Sequence, residues 1–280
     1  MPNIIVLIGR VLDPSGIVFN RRAGRLFVNR EEYLLQPADR CALEAALRIK
    51  EAGRPKGSPA AEVVALPRTL LPDDDVLRQA VATGADRAIH LVGAGGYTGG
   101  AGEYTGFANA DDALMARVLA AVVERLGGAD LVLTGATTLD TGQGQLGPRL
   151  AEALGWPQIV DAWHVEAVDG RVRAVRKEKD GFVAVEADLP AVVTVLPGVL
   201  KPRYPDGARL INVYRGVKEM ANALERWDVA DLMEAQALKP LIERRGQEFP
   251  PERERGARVS GTPAQMAQTV AEALGQRVRR

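Results

Sequence analysis

The residues best placed for chemistry lie between Asp130 and Gln158, in the run DLVLTGATTLDTGQGQLGPRLAEALGWPQ. An apolar stretch, Leu131-Val132-Leu133, leads into a segment punctuated by Gly135, Gly142, Gly144 and Gly147, and a short helical pattern then stops at Gly155. Glycines let backbone N–H groups come close to an anion, and the first turn of a helix offers unpaired donors at the positive end of its dipole. Strand, glycine-rich loop and helix start in this order predict a phosphate cradle. Pro148 is expected at the first helical position, where its missing N–H is harmless, and Gly155 at a left-handed cap. Asp140 is the one carboxylate within the loop, where it would order the chain or hold a ribose hydroxyl. A mobile surface connection is the plainer reading of the same pattern.

The remaining inventory for catalysis is thin. The two histidines, His90 at a strand end and His164 in a strand pattern beside Trp163, have no metal-ligand spacing. Cys41 lies in a helical pattern with Leu43 and Leu47, which suits a packed core thiol better than a nucleophile. No G-x-S-x-G elbow, P-loop or H-E-x-x-H occurs. The acidic run Asp73-Asp74-Asp75 reads as a helix N-cap rather than a metal site. These residues predict a chain that binds a phosphorylated molecule without transforming it.

Elements able to hold such a loop recur along the chain. Apolar runs at 4–8, 62–66, 88–92, 131–134 and 191–196 alternate with helical patterns at 39–52, 74–83 and 111–126. Runs that are apolar at consecutive positions imply strands of a parallel sheet covered by helices on both faces. Residues 171–175 and 183–185 read as an antiparallel hairpin added to it. Ligands of such sheets sit beyond the carboxyl ends of the strands, where the loop after Thr134 begins. The glycine-rich run 93–106 lacks G-x-G-x-x-G and is expected to be a flexible insertion. Residues 244–261 read as a charged arm leading to an amphipathic helix near 263–274. Lys plus Arg and Asp plus Glu are equal at 36 each, so no net field favours nucleic acid or a membrane surface. One cysteine and no long apolar run suggest a cytoplasmic protein.

The same residues, taken in order, resemble the beta subunit of electron transfer flavoprotein over nearly the whole chain. The resemblance is carried by Arg10-Val11-Leu12-Asp13, by Gln36-Pro37-Ala38-Asp39 before ALEAALRIKEAG, and by Gly84-Ala85-Asp86-Arg87-Ala88-Ile89. It continues in the 130–158 segment, in Leu189-Pro190-Ala191-Val192-Val193-Thr194, in Pro202-Arg203-Tyr204-Pro205, and in Pro250-Pro251-Glu252-Arg253. Among the departures, Gly9 stands where the family usually has Lys, and Gln36 replaces Asn.

The resemblance implies an α/β fold of the Rossmann-like, adenine nucleotide alpha hydrolase-like kind, with residues 1–232 as the nucleotide-binding domain. Residues 233–280 would form an arm and helix docking on an alpha subunit, whose FAD carries the electrons. The nucleotide, AMP in most members and FAD in the bifurcating branch, would be held by Leu7, Gln36, Pro37, Ala38, Asp39 and Arg68. The loop would add Gly135, Ala136, Thr137, Thr138, Leu139, Asp140, Thr141, Gly142, Gln143, Gly144, Gln145 and Leu146. Val199, Leu200, Pro202, Arg203 and Tyr204 would meet partner dehydrogenases, with Val199 as an apolar anchor on an exposed loop. The resemblance thus implies electron transfer from acyl-CoA or other flavin dehydrogenases to a quinone oxidoreductase. Electron bifurcation from NADH through a beta-bound FAD, and a stand-alone nucleotide sensor, are the alternatives.

Overall fold

The alternation of apolar runs and helical patterns resolves, among the described residues, into thirteen strands and six α-helices in a computed structural model. It describes residues 3–22, 24–52, 61–70, 74–92, 110–217, 220, 223–234, 237–242, 256 and 258–278. In chain order the first elements are β1 (Ile4–Ile8), β2 (Arg10–Leu12), β3 (Ile17–Asn20), β4 (Arg25–Val28), β5 (Tyr33–Leu35) and α1 (Pro37–Ala52). Then come β6 (Val63–Pro67), α2 (Asp74–Thr83), β7 (Arg87–Val92), α3 (Asp112–Arg125), β8 (Leu131–Gly135) and α4 (Leu146–Leu154). β9 (Gln158–Val168), β10 (Arg171–Glu178), β11 (Gly181–Asp188) and β12 (Ala191–Val195) follow. The last are α5 (Gly207–Arg215), β13 (Leu224–Asp228) and α6 (Pro263–Val278).

Nine strands form one sheet in the order β11-β10-β9-β12-β8-β1-β6-β7-β13, parallel except where β10 and β11 run antiparallel at one edge. The five apolar residues of β1 are all buried and divide between the two faces. Ile4, Val6 and Ile8 pack with Leu43 and Leu47 of α1 and Leu77 of α2. Ile5 and Leu7 pack with Leu114 and Leu119 of α3 and Leu150 of α4. A strand buried on both faces has to be apolar throughout, so no alternation appears in its sequence. The fold is the expected mostly parallel α/β sheet.

Several local expectations need adjustment. The hairpin is longer than expected: β10 and β11 pair from Arg171↔Asp188 to Glu178↔Gly181, and β9 extends the same antiparallel layer. Pro148 is the third residue of α4 rather than the first, since the helix starts at Leu146. Any first-turn N–H lacks an intrahelical acceptor, so proline is tolerated there equally well. Asp111 caps α3 through the Leu114 amide, and Gly155 takes the left-handed cap conformation at φ 66°. Asp74 opens α2 and lies against the His90 ring, so part of the acidic run faces the histidine; Asp73 lies outside the described residues. Burial pushes the His90 imidazole below its usual range, against the pull of Asp74. The run 93–106 also lies outside the described residues.

The chain forms two compact units, Met1–Glu243 and Arg244–Arg280. Packing in the first continues past residue 232, because Leu238 is buried and Asp111 accepts the amide N–H groups of Leu241 and Ile242. In the second, the hydroxyl of Thr262, just before α6, accepts the Gln265 amide at 3.4 Å. Among the described residues no helix is long and apolar enough to cross a membrane.

The segment after β12 is pinned to α1. Arg203 Nε donates to Glu44 Oε2 at 2.9 Å, its guanidinium also reaches Glu51, and its amide bonds Glu44 Oε2 at 3.1 Å. Burial of Glu44 would raise its carboxyl, but the hydrogen bonds from Arg203 and Arg48 outweigh it and hold the group below the usual range. That stabilisation is present above the unfolded carboxylate value and is lost as pH falls through the folded one. Glu44→Gln should therefore lower unfolding free energy by about 1–2 kcal/mol, since Arg203 is partly solvated. The difference from wild type, measured in urea, should shrink on acidification.

Candidate functional site

The carboxyl ends of β1, β6 and β8 converge on one side chain at the start of α1. Asp39 has no solvent exposure, and Arg68, just beyond β6, is 6% exposed. Asp39 Oδ2 accepts the Gly9 amide at 3.0 Å, and its Oδ1 accepts the Gly135 amide at 2.9 Å and Arg68 Nη1 at 2.8 Å. Burial pushes the Asp39 carboxyl upward, while Arg68 and the two amides pull it back. The contacts require glycine on both flanking strands. A Cβ at Gly135 would lie 2.5 Å from Asp39 Oδ1 and 2.6 Å from the Ala38 Cβ. A Cβ at Gly9 would lie 2.5 Å from Arg68 Cδ, so Gly9 leaves room for the arginine stem.

The loop from Ala136 to Gln145 is ordered by its own hydrogen bonds. The Thr138 amide donates to the Gln143 carbonyl at 2.9 Å, and the Gly142 amide to the Thr138 carbonyl at 3.0 Å. Gly142 adopts φ 67°, in the left-handed region where a side chain is strained. Asp140 Oδ1 accepts the Thr141 amide at 2.7 Å, so the loop carboxylate orders its own turn. The buried Gln36 side chain anchors the loop from outside by accepting the Leu139 amide at 3.0 Å. At Gly144 a Cβ would come within 2.5 Å of the Ala136 carbonyl oxygen. Thr137, Leu139, Gln143 and Gln145 remain exposed around this framework.

At the far end of the loop, Leu146 and Gly147 are buried in the first turn of α4. A Cβ at Gly147 would lie 2.5 Å from Thr194 Cγ2 and 3.1 Å from Thr134 Cγ2. Thr134 Oγ1 is buried without a hydrogen-bond partner beside this turn. Asp112, at the start of α3, lies within electrostatic reach of both Arg68 and Arg149. Burial is the largest influence on Asp112 and raises its carboxyl above the ordinary range. First-turn amides, an unsatisfied hydroxyl and two guanidinium groups form a donor set suited to a phosphate. Asp112, beside this set, opposes an anion when ionised. Among the described residues no cluster of three or more His, Cys, Asp or Glu could hold a metal.

The expected nucleotide residues thus meet in one region, with different roles. Leu7, Ala38, Asp39 and Arg68 are buried and build the floor, while Pro37 is half-buried at the start of α1. The expected partner residues lie elsewhere, along the flank of α1. There a cavity of about 260 Å³ is lined by Leu35, Pro37, Leu43, Glu44, Pro202 and Tyr204. Val199 and Leu200 are partly buried against the core, whereas Tyr204 is 81% exposed. Thr134, Asp112 and Arg149 were not among the expected site residues. Asp112 was visible only as a helix start.

Comparison with known proteins matches the electron transfer flavoprotein domain to residues 25–231. The chain belongs to the electron transfer flavoprotein family. Within the family it is similar to beta subunits. It is 31% identical to the electron transfer flavoprotein subunit beta of Mycobacterium bovis over 73% of each chain. It is 28% identical to that of Bacillus subtilis over 97% of each. It is also 26% identical to the caffeyl-CoA reductase-Etf complex subunit CarD of Acetobacterium woodii, over 75% of this chain and 74% of that one. The family match spans β4 to the turn after β13, and so includes every element that builds the cradle except β1.

Two predictions follow from the buried charges of this flavoprotein subunit. Asp39→Ala leaves Arg68 and two amides unpaired and should lower unfolding free energy by about 3–5 kcal/mol, read from urea midpoints. Asp112 carries a raised folded value, so its stabilising contribution is present below the ordinary carboxylate value and is lost as pH rises through the folded one. Asp112→Asn should flatten that part of the stability–pH curve. It should also remove the expected strengthening of phosphate-ligand binding on acidification, measured by calorimetry across the same pH series.

Proposed function

We propose that this chain is the beta subunit of an electron transfer flavoprotein heterodimer and holds AMP as a structural ligand. The observation that carries the reading is the preordered loop between Gly135 and Gly147, fixed at its base by Asp39 and ending on the first turn of α4. In this reading the amides of Leu146 and Gly147, with Arg149 and Arg68 nearby, receive the phosphate. The exposed Thr137 to Gln143 stretch lies along the rest of the nucleotide. Bound AMP would supply no redox chemistry; it would tie β8, α1 and α4 together. Binding to the folded state alone stabilises that state by mass action. An alpha subunit's FAD would then shuttle electrons from acyl-CoA-type dehydrogenases to a quinone reductase.

The segment from Val199 to Tyr204 serves as the dehydrogenase-facing loop in this reading, with exposed Tyr204 at its tip. The C-terminal arm docks on the alpha subunit. Glu44→Gln tests the loop assignment: electron transfer from the dehydrogenase should fall while bound nucleotide is retained.

A second reading is supported by the similarity to a caffeyl-CoA reductase complex subunit. In it the same cradle holds FAD, and the complex bifurcates electrons from NADH. Acid extraction of the purified heterodimer followed by chromatography of the released nucleotides separates the two. One FAD and one AMP per heterodimer are expected, and Gly144→Ala should reduce AMP occupancy at least tenfold by closing on the Ala136 carbonyl. Two FAD and no AMP would replace the first reading with the second.

A further inference from the structure

Among the described residues nothing covers the ribbon made by β3 and β4. It forms a two-stranded sheet of its own, and all eight strand residues are exposed. The register pairs Ile17 with Val28, Val18 with Phe27, Phe19 with Leu26 and Asn20 with Arg25. Cross-strand partners point to the same side and successive pairs alternate. One face therefore consists of Ile17, Val28, Phe19 and Leu26 and is entirely apolar. The other is apolar at Val18 and Phe27 and polar at Asn20 and Arg25, nearest the turn.

Such a ribbon is poorly suited to water. A lone two-stranded hairpin is marginally stable, and folded monomers seldom leave large contiguous apolar patches uncovered. The six apolar side chains are between 38% and 54% exposed. The four side chains of the fully apolar face offer on the order of 400 Å² of surface, about half of the roughly 800 Å² that each partner contributes to a standard interface. Charge narrows the chemistry of the cover. Arg21, Arg22 and Arg25 crowd the turn, and no carboxylate occurs between Pro14 and Arg30.

We propose that this ribbon is an anchoring arm for the alpha subunit, which lays an apolar strip rimmed by carboxylates against Ile17, Phe19, Leu26 and Val28. The inference rests on the heterodimer reading given above. A permanent subunit fits better than a visiting dehydrogenase, because a transient partner would return the apolar face to water between encounters. Obligate interfaces have this apolar character, and the arginine turn supplies orientation and faster encounter at the rim.

Co-expression of the full chain with its alpha subunit tests the assignment. Phe19→Asp and Leu26→Asp should each reduce co-purified alpha subunit at least tenfold. Val18→Asp, which adds the same charge on the opposite face and away from the arginine turn, should leave it unchanged. In the wild-type heterodimer, amides of 17–28 should exchange with deuterium at least tenfold more slowly than in the free chain, a measurement independent of whether the variants fold. Full assembly by both apolar-face variants, or unchanged exchange on assembly, overturns the arm while leaving the beta-subunit reading in place. Failure of the wild-type chain to capture any alpha subunit sinks both. Variants that lose self-association but keep the alpha subunit assign the ribbon to a second copy of this chain, and also overturn the proposal.

Discussion

A carboxylate without solvent must find its donors inside the protein, and Asp39 finds three of them on three different segments. The amides of Gly9 and Gly135 and the guanidinium of Arg68 close around it. Burying such a group is favourable only when every partner is in place, so the ends of β1 and β8 and the segment after β6 are fixed together. The glycine loop starts from that fixed point. Its geometry then follows from Gln36, from the hydrogen bonds of Thr138, and from the close approach of Gly144 to Ala136. A binding surface made of backbone needs this support, because amides cannot be aimed by a rotamer change.

Helix α1 connects that floor to a second surface. Asp39 lies in its first turn, while Glu44 and Glu51, further along, hold Arg203. The buried thiol of Cys41 faces the Leu200 carbonyl at 3.7 Å on the same flank. The chain between Val199 and Pro205 thus takes its position from the element that also positions the cradle. Arg203 acts within the chain as a clamp on this loop, and the exposed tyrosine beside it is free of that task.

Much of the architecture was legible because both faces of the central strands are covered. Ile4–Ile8 and Ala191–Val195 are apolar at nearly every position, and such short runs between helical patterns leave few alternatives to a parallel sheet. The elements that were missed are polar or exposed. Leu224–Asp228, reading LERWD, adds an edge strand by backbone pairing with β7. Gly207–Arg215 buries only Val213, so its helical stripe is faint. The ribbon of β3 and β4 is apolar without being buried, a combination that sequence pattern cannot distinguish from core.

The order of glycines, Asp140 and Pro148 determined by itself that a glycine-rich loop leading into a helix start follows β8, because conformational freedom and a helix start are local properties. What only the tertiary structure decided is which side chains surround that loop. Asp39 is close to Gly135 across 96 positions of sequence, and Asp112 comes within electrostatic reach of Arg68 and Arg149 from another helix. Burial changes what these carboxylates do, turning one into an internal brace and raising the other at the mouth of the cradle. Desolvation and distant pairing depend on the packed whole, and no local pattern of residues encodes them.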